Sequence, residues 1–196
     1  MAIALIFKMA QTKLLQQQHS SLLRVVVFGP ESTGKTTLCK DLAAHYNTLW
    51  VPEFARDFLQ NKWDTTQEVC TLKDLPIIAQ GQMDLENAAL KKANKILFCD
   101  TNVLVTQIWS ETHFEGYCDP KIIAAVKQVH YDLYLLTGID IPWEADDLRD
   151  RPNDRARMFE YFKIKLKEQK IAYKHIKGDR ENRIKQATTA IDSIIL

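Results

Sequence analysis

Surplus charge of either sign is missing from this chain: 26 Lys and Arg stand against 25 Asp and Glu in 196 residues. A general nucleic-acid binder carries a broad basic face and a basic balance, so that class of partner is disfavoured. Cysteine is sparse, and Cys39, Cys70, Cys99 and Cys118 form neither a CxxC pair nor a zinc-like Cys/His spacing. They read as reduced thiols of a cytoplasmic protein, with Cys39 and Cys99 serving as small core hydrophobes. No apolar run approaches the ~20 residues that a membrane span requires. Residues 1–10 lack both a preceding basic stretch and a clear cleavage site, so an irregular extension is expected there rather than a signal. Repeats, low-complexity tracts and interdomain linkers are absent as well. What remains is a chain long enough to bury about 70% of its unfolded surface in one compact domain. We expect an N-terminal extension over 1–23, with Met9 as a second candidate start and 11–21 as a polar lead, and a single domain over 24–196.

The apolar patterns alternate in kind along the chain. Residues 24–28 (RVVVF) form a β-branched run stopped by Gly29 and Pro30, as in a strand buried on both faces. Further strands are expected at 49–51, 96–99, 133–136 and 172–176, and helices at 35–46, 53–61, 75–93, 153–169 and 181–195. Strands alternating with helices imply an α/β protein: a three-layer fold with roughly five parallel strands covered on both faces. Gly81 interrupts the helix at 75–93, at a cost of about 1 kcal/mol relative to Ala. Either a backbone or a ligand approaches closely there or the helix tolerates the loss, and tolerance is the preferred expectation.

Residues 29–36 read GPESTGKT and match GxxxxGK[ST] between a buried-strand run and a helix, the context that gives this phosphate-loop pattern its meaning. Gly29 and Gly34 permit backbone angles and close approaches that a Cβ would obstruct. Successive amide N–H groups and the positive end of the following helix then surround an anion. Lys35 is expected to reach the β- and γ-phosphates of a nucleotide, most simply ATP, and the Thr36 hydroxyl to be a ligand for Mg²⁺. Glu31, Ser32, Thr33 and Thr37 complete the candidate nucleotide-binding set. Asp100, at the end of the strand at 96–99, stands where the second magnesium-side group belongs. It also suits an N-cap for the helix that follows, and both roles can hold together.

A guanine-reading NKxD pattern occurs at 61–64, but it precedes the 96–99 strand and no DxxG follows Asp100, so the match is read as accidental. A kinase needs a carboxylate for the acceptor hydroxyl, cations around the moving phosphoryl group and closure against water. Glu53 follows the second strand and shares a helix face with Arg56, three residues on. The charged stretch at 146–157 supplies Arg149, Arg151, Arg155 and Arg157. Interleaved acids make a salt-bridged solvent face one reading of it, and its position between the fourth and fifth units makes a lid the preferred one.

With these residues assembled, the chain resembles the ribosylnicotinamide kinase domain of NadR-type proteins. The matching stretches are GPESTGKTTL at 29–38, WVPEFARDFL at 50–59, IAQGQ at 78–82, LFCDTN at 97–102 with Thr106 and Trp109 beyond, and the segment at 131–155. The resemblance implies a P-loop kinase that transfers the γ-phosphoryl group of ATP, with Mg²⁺, to the ribose 5′-hydroxyl of nicotinamide riboside. It implies phosphate binding at Gly34, Lys35 and Thr36, substrate-side roles for Glu53, Arg56 and Asp100, and lid roles for Arg149 and Arg155. Trp143 either faces a cationic pyridinium ring or belongs to the core at a strand end. Many members carry an acid where this chain has Asn102, which is kept as a substrate-side candidate. Glu53 or Asp100 accepts the hydroxyl proton. Larger NadR-type proteins add an adenylyltransferase domain; the expectation here is a kinase alone that leaves adenylylation to a partner enzyme. Another nucleoside or nucleoside monophosphate kinase, or a non-catalytic ATP-sensing module, is the alternative. Asp179 and Arg180 are the candidates for the adenine side, with a turn-and-cap role preferred. The partner is a small molecule, without nucleic acid or membrane, and oligomeric state leaves no mark in the sequence.

Overall fold

The computed structural model describes residues 15–195, so the expectations for 1–14 lie outside the described residues. Five strands, β1 (Leu23–Phe28), β2 (Trp50–Val51), β3 (Ile96–Asp100), β4 (Leu133–Thr137) and β5 (Tyr173–Ile176), form one sheet in the order β2-β3-β1-β4-β5. Every pairing is parallel. Among the described residues there are seven helices: α1 (Lys35–His45), α2 (Phe54–Thr66), α3 (Leu75–Ala89), α4 (Val103–His113), α5 (Pro120–Val126), α6 (Arg155–Glu168) and α7 (Arg180–Ile195).

The central strand explains the layering. Val25 to Phe28 are wholly buried, and their side chains alternate between two cores. Val25 and Val27 join Leu38 and Leu42 of α1 and Ala187 and Ile191 of α7 on one face. Val26 and Phe28 meet Ile78 of α3, Leu104 and Ile108 of α4 and Phe162 of α6 on the other. A strand buried on both sides therefore reads as a continuous β-branched run rather than an alternating one. Cys39 and Cys99 are buried within these cores as free thiols, as expected. The register sets Val27 beside Asp100 of β3 and beside Leu135 of β4, so the three central strands finish at one edge. Loops that follow them converge there.

The chain departs from the expected elements in several places. α2 continues to Thr66 and α3 stops at Ala89; α4 is the helix expected after Asp100, here given its bounds, and α5 is a helix the sequence pattern does not announce. Residues 61–64, the NKxD match, lie inside α2, a rigid helix rather than a base-reading loop. The N-cap of α4 is Asn102, whose side chain accepts from the Leu104 and Val105 amides, so Asp100 is free of that duty. Residues 15–18 run along α3, where Gln80 Oε1 accepts from the Leu15 amide at 2.9 Å and Asn87 Oδ1 from the Gln18 amide at 2.8 Å. None of the described helices is long and apolar enough to cross a membrane.

Gly81 corrects the expectation of tolerance. A Cβ at this position would stand 2.4 Å from the Phe54 ring, which packs flush on the α3 backbone. Gly81→Ala is expected to destabilise the fold by about 1–3 kcal/mol through overpacking, more than the ~1 kcal/mol of helix propensity it recovers. Chemical denaturation reads the balance directly; a raised midpoint in the alanine variant would restore the tolerance reading.

Candidate active site

A cavity of about 450 Å³ opens at the carboxyl edge of the sheet, and one wall of it is the loop between β1 and α1. That volume lies in the range of small-molecule sites. Two glycines let the loop form. Gly29 has φ 146°, and a Cβ there would stand 2.6 Å from the Thr137 hydroxyl oxygen, while Gly34 caps α1 with φ 75°. Ser32, a non-glycine, is held at φ 53°. Such a conformation persists only where its surroundings impose it.

Bonds around the loop account for that. The Thr33 hydroxyl donates to the Pro30 carbonyl at 2.8 Å and lies 2.7 Å from the Thr137 hydroxyl oxygen. The Ser32 hydroxyl accepts from the Glu144 amide at 2.8 Å, and the Ser32 carbonyl accepts from Arg155 Nη2 at 2.9 Å. Lys35 Nζ donates to the Pro30 carbonyl at 2.8 Å, folded back on its own loop.

All eight residues of the candidate nucleotide-binding set line the cavity, from Gly29 and Glu31 to Thr37. Beside them stand two carboxylates from other strand ends. Asp100 closes β3, is 1% exposed, and its Oδ2 accepts from the Thr36 hydroxyl at 2.5 Å. Its Oδ1 is buried with no partner among the described residues. An unpartnered carboxylate oxygen next to a hydroxyl is an all-oxygen donor pair, which fits a hard divalent cation. Glu53 immediately precedes α2 and lines the same cavity.

Burial raises the proton affinity of both acids above the ordinary carboxylate range. For Glu53 the positive charges of Lys35, Arg56 and Arg149 oppose the rise and Asp100 adds to it; for Asp100, Lys35 and the Thr36 hydroxyl oppose it. The carboxyl of Glu31 is pushed up to about 7, chiefly by burial and then by Asp150, and its Oε2 has no partner among the described residues.

The segment between β4 and α6 covers the site. Arg56 and Arg149 both grip Asp146, and both line the cavity. Arg151 Nη2 donates to the Thr112 carbonyl at 2.7 Å, tying the same segment to α4. Arg155 stands elsewhere than expected. Its Nη1 bonds the Ile141 carbonyl at 2.9 Å and its Nη2 the Ser32 carbonyl, on the outer side of the loop and away from the cavity lining. Burial, then the neighbouring charge of Arg183, holds its guanidinium below the usual range.

Two substrate-side candidates also stand outside the lining. Asn102 is buried, its amide nitrogen donating to the Tyr134 hydroxyl at 3.2 Å while its oxygen caps α4. Trp143 is half-buried against Arg155, whose guanidinium carbon lies 5.8 Å from the ring centre. Arg180 pairs with Asp41 of α1 at 2.6 Å and Asp179 caps the start of α7, the turn-and-cap arrangement. Sequence reasoning assigned no role to Gln82 or Arg183. Gln82 lines the cavity, and its Oε1 accepts from the Phe54 amide at 2.9 Å, docking α2 on α3. The only sequence signal for Gln82 was its place in the IAQGQ stretch.

The NadR protein of Salmonella typhimurium, described as a trifunctional NAD biosynthesis/regulator protein, is 32% identical over 155 residues, which is 78% of this chain and 38% of that protein. This chain thus spans well under half of its relative's length. Two solved NadR structures, one in complex with NAD and AMP-PNP and one with NR, superpose with TM-scores of 0.72 and 0.69 at 22% identity. They cover 88% and 89% of this chain and 49% and 50% of their own. Likeness at that identity establishes the fold: a P-loop α/β architecture, as expected from the alternation of strands and helices. The AAA domain family matches residues 24–183, from β1 into α7, and the chain belongs to that family.

Proposed function

We propose that the chain is an ATP-dependent kinase that phosphorylates the ribose 5′-hydroxyl of nicotinamide riboside. One observation carries this reading: Glu53 and Asp100 line a single cavity with the phosphate loop, Lys35 and Arg149, so donor-side and acceptor-side groups share one space. The similarity to NadR proteins, one of them solved with NR, supports the choice of acceptor.

Thr36 and Asp100 would hold Mg²⁺, which when bound supplies neutralisation of phosphate charge. The loop amides orient the triphosphate. Lys35 leaves the Pro30 carbonyl to neutralise the moving phosphoryl group, assisted by Arg149. Glu53 accepts the 5′-hydroxyl proton because Asp100 is engaged by Thr36. The bond from the γ-phosphorus to the β-bridging oxygen breaks as the bond to the 5′-oxygen forms, and ADP leaves. Most of the rate enhancement comes from positioning and electrostatics, since the transition state is loose. The segment carrying Arg149 acts as the lid. The four free cysteines suit a reducing compartment, and we assign the protein to the cytoplasm.

An ADP-release screen over nicotinamide riboside, ordinary nucleosides and nucleoside monophosphates tests the reading. Acceptor-dependent ADP release with nicotinamide riboside is expected. Activity with a nucleoside or monophosphate alone would replace the acceptor, and saturable ATP binding without acceptor-dependent turnover would make the chain a nucleotide-sensing module.

A further inference from the structure

The phosphate loop is gripped from its outer side by two arginines on separate helices. Arg183, on α7, is 5% exposed and uses all three guanidinium nitrogens. Its Nη1 donates to the Thr33 carbonyl at 2.5 Å, its Nε to the Gly178 carbonyl at 2.8 Å, and its Nη2 to the Gly138 carbonyl at 3.1 Å and to Asp140 Oδ1 at 2.6 Å. Arg155, at the start of α6, holds the Ser32 carbonyl at 2.9 Å and the Ile141 carbonyl at 2.9 Å. Consecutive carbonyls of the loop are therefore each bound to a cation: Arg183 is anchored just past the ends of β4 and β5, at Gly138, Asp140 and Gly178, and Arg155 at Ile141 in the segment after β4.

Peptide planarity turns that grip into an orientation of amides. In a trans peptide the C=O of one residue and the N–H of the next point in opposite directions. Drawing the Ser32 and Thr33 carbonyls outward thus aims the Thr33 and Gly34 N–H groups inward, where both residues line the cavity. No intramolecular backbone acceptor takes either N–H among the described residues. The left-handed Ser32, at φ 53°, lies in this stretch and is bonded through its carbonyl to Arg155 and through its hydroxyl to Glu144.

We propose that Arg155 and Arg183 are positioning residues that pre-form the anion-binding face of the loop by holding the Ser32 and Thr33 carbonyls away from it. Neither touches the nucleotide. Without them the two peptides are free to rotate, and phosphate binding must reorder them. The inference rests on nucleotide binding at the loop and is independent of which acceptor is phosphorylated.

Equilibrium binding of Mg-ATP and of inorganic tripolyphosphate to the full chain tests it, with thermal unfolding measured in parallel. Arg183→Met keeps the side-chain bulk and removes every donor, and it is expected to weaken both ligands by about tenfold or more. Arg155→Met should weaken both by a smaller factor, and Arg183→Lys should fall between wild type and Arg183→Met. A folded Arg183→Met or Arg155→Met variant that binds both ligands as wild type does, even with a lowered melting temperature, would overturn the proposal. So would a loss confined to ATP, because that places the effect at the base rather than at the phosphate loop. Should Arg183→Met fail to fold, Arg155→Met and Arg183→Lys carry the same two outcomes. A wild-type protein that binds both ligands yet leaves nicotinamide riboside unphosphorylated removes the proposed acceptor and leaves this inference standing.

Discussion

Lys35→Ala is expected to lower turnover roughly a thousandfold or more, the scale set by removing a charge or donor from a developing phosphoryl or oxyanion centre. Among the described residues the side chain's one hydrogen bond is to its own loop, at the Pro30 carbonyl, so packing should be little changed. The loss should therefore appear in acceptor-dependent ADP release with little change in melting temperature. Near-wild-type turnover in a folded Lys35→Ala variant would remove the phosphate loop from the chemistry.

Glu53→Gln should reduce kcat by about 10²–10⁴, the usual contribution of a positioned base, and should also reshape the pH profile. Burial raises the Glu53 carboxyl above the ordinary glutamate range against the pull of Lys35, Arg56 and Arg149. A base must be deprotonated to act, so wild-type kcat/KM should rise with pH through this raised value, and the glutamine variant should lose that acid limb.

Stability runs the other way. A carboxyl whose folded pKa is raised favours folding below its unfolded pKa, and that contribution is lost as pH rises through the folded value. Above it the charged Glu53 is a burden, so Glu53→Gln should equal or exceed the wild type in melting temperature while being far less active. An acid limb that persists unchanged in the variant would transfer the base role away from Glu53.

The phosphate loop was legible because it is local. Its glycines, Lys35 and Thr36 lie within eight consecutive residues, and their spacing encodes a turn that needs little from the rest of the chain. The β-branched run before it was equally readable, since burial on both faces leaves a continuous apolar signature. The sheet followed from alternation, and Asp100 from its place at a strand end.

Arg155, Asn102 and Gly81 were harder, for a common reason: each is decided by a neighbour distant in sequence. Arg155 sits in a charged stretch that reads as a lid, yet its guanidinium is committed to a carbonyl 123 residues away. Asn102 looks like a substrate-side group until the start of α4 claims its oxygen and Tyr134 its nitrogen. Nothing in the α3 pattern announces that the Phe54 ring lies against Gly81.

By itself the sequence determined the fold class and grouped the residues of the candidate phosphate loop, because periodicity and a contiguous loop are short-range properties. Only the tertiary structure decided which side chains meet around that loop. The order β2-β3-β1-β4-β5 places β3 and β4 on either side of β1, which brings Asp100 to Thr36, 64 residues away, and Arg183 to Thr33, 150 residues away. Parallel crossovers of this kind join residues by the geometry of the sheet rather than by spacing along the chain. The loop was readable as a phosphate cradle, and the buried arginines behind it were not.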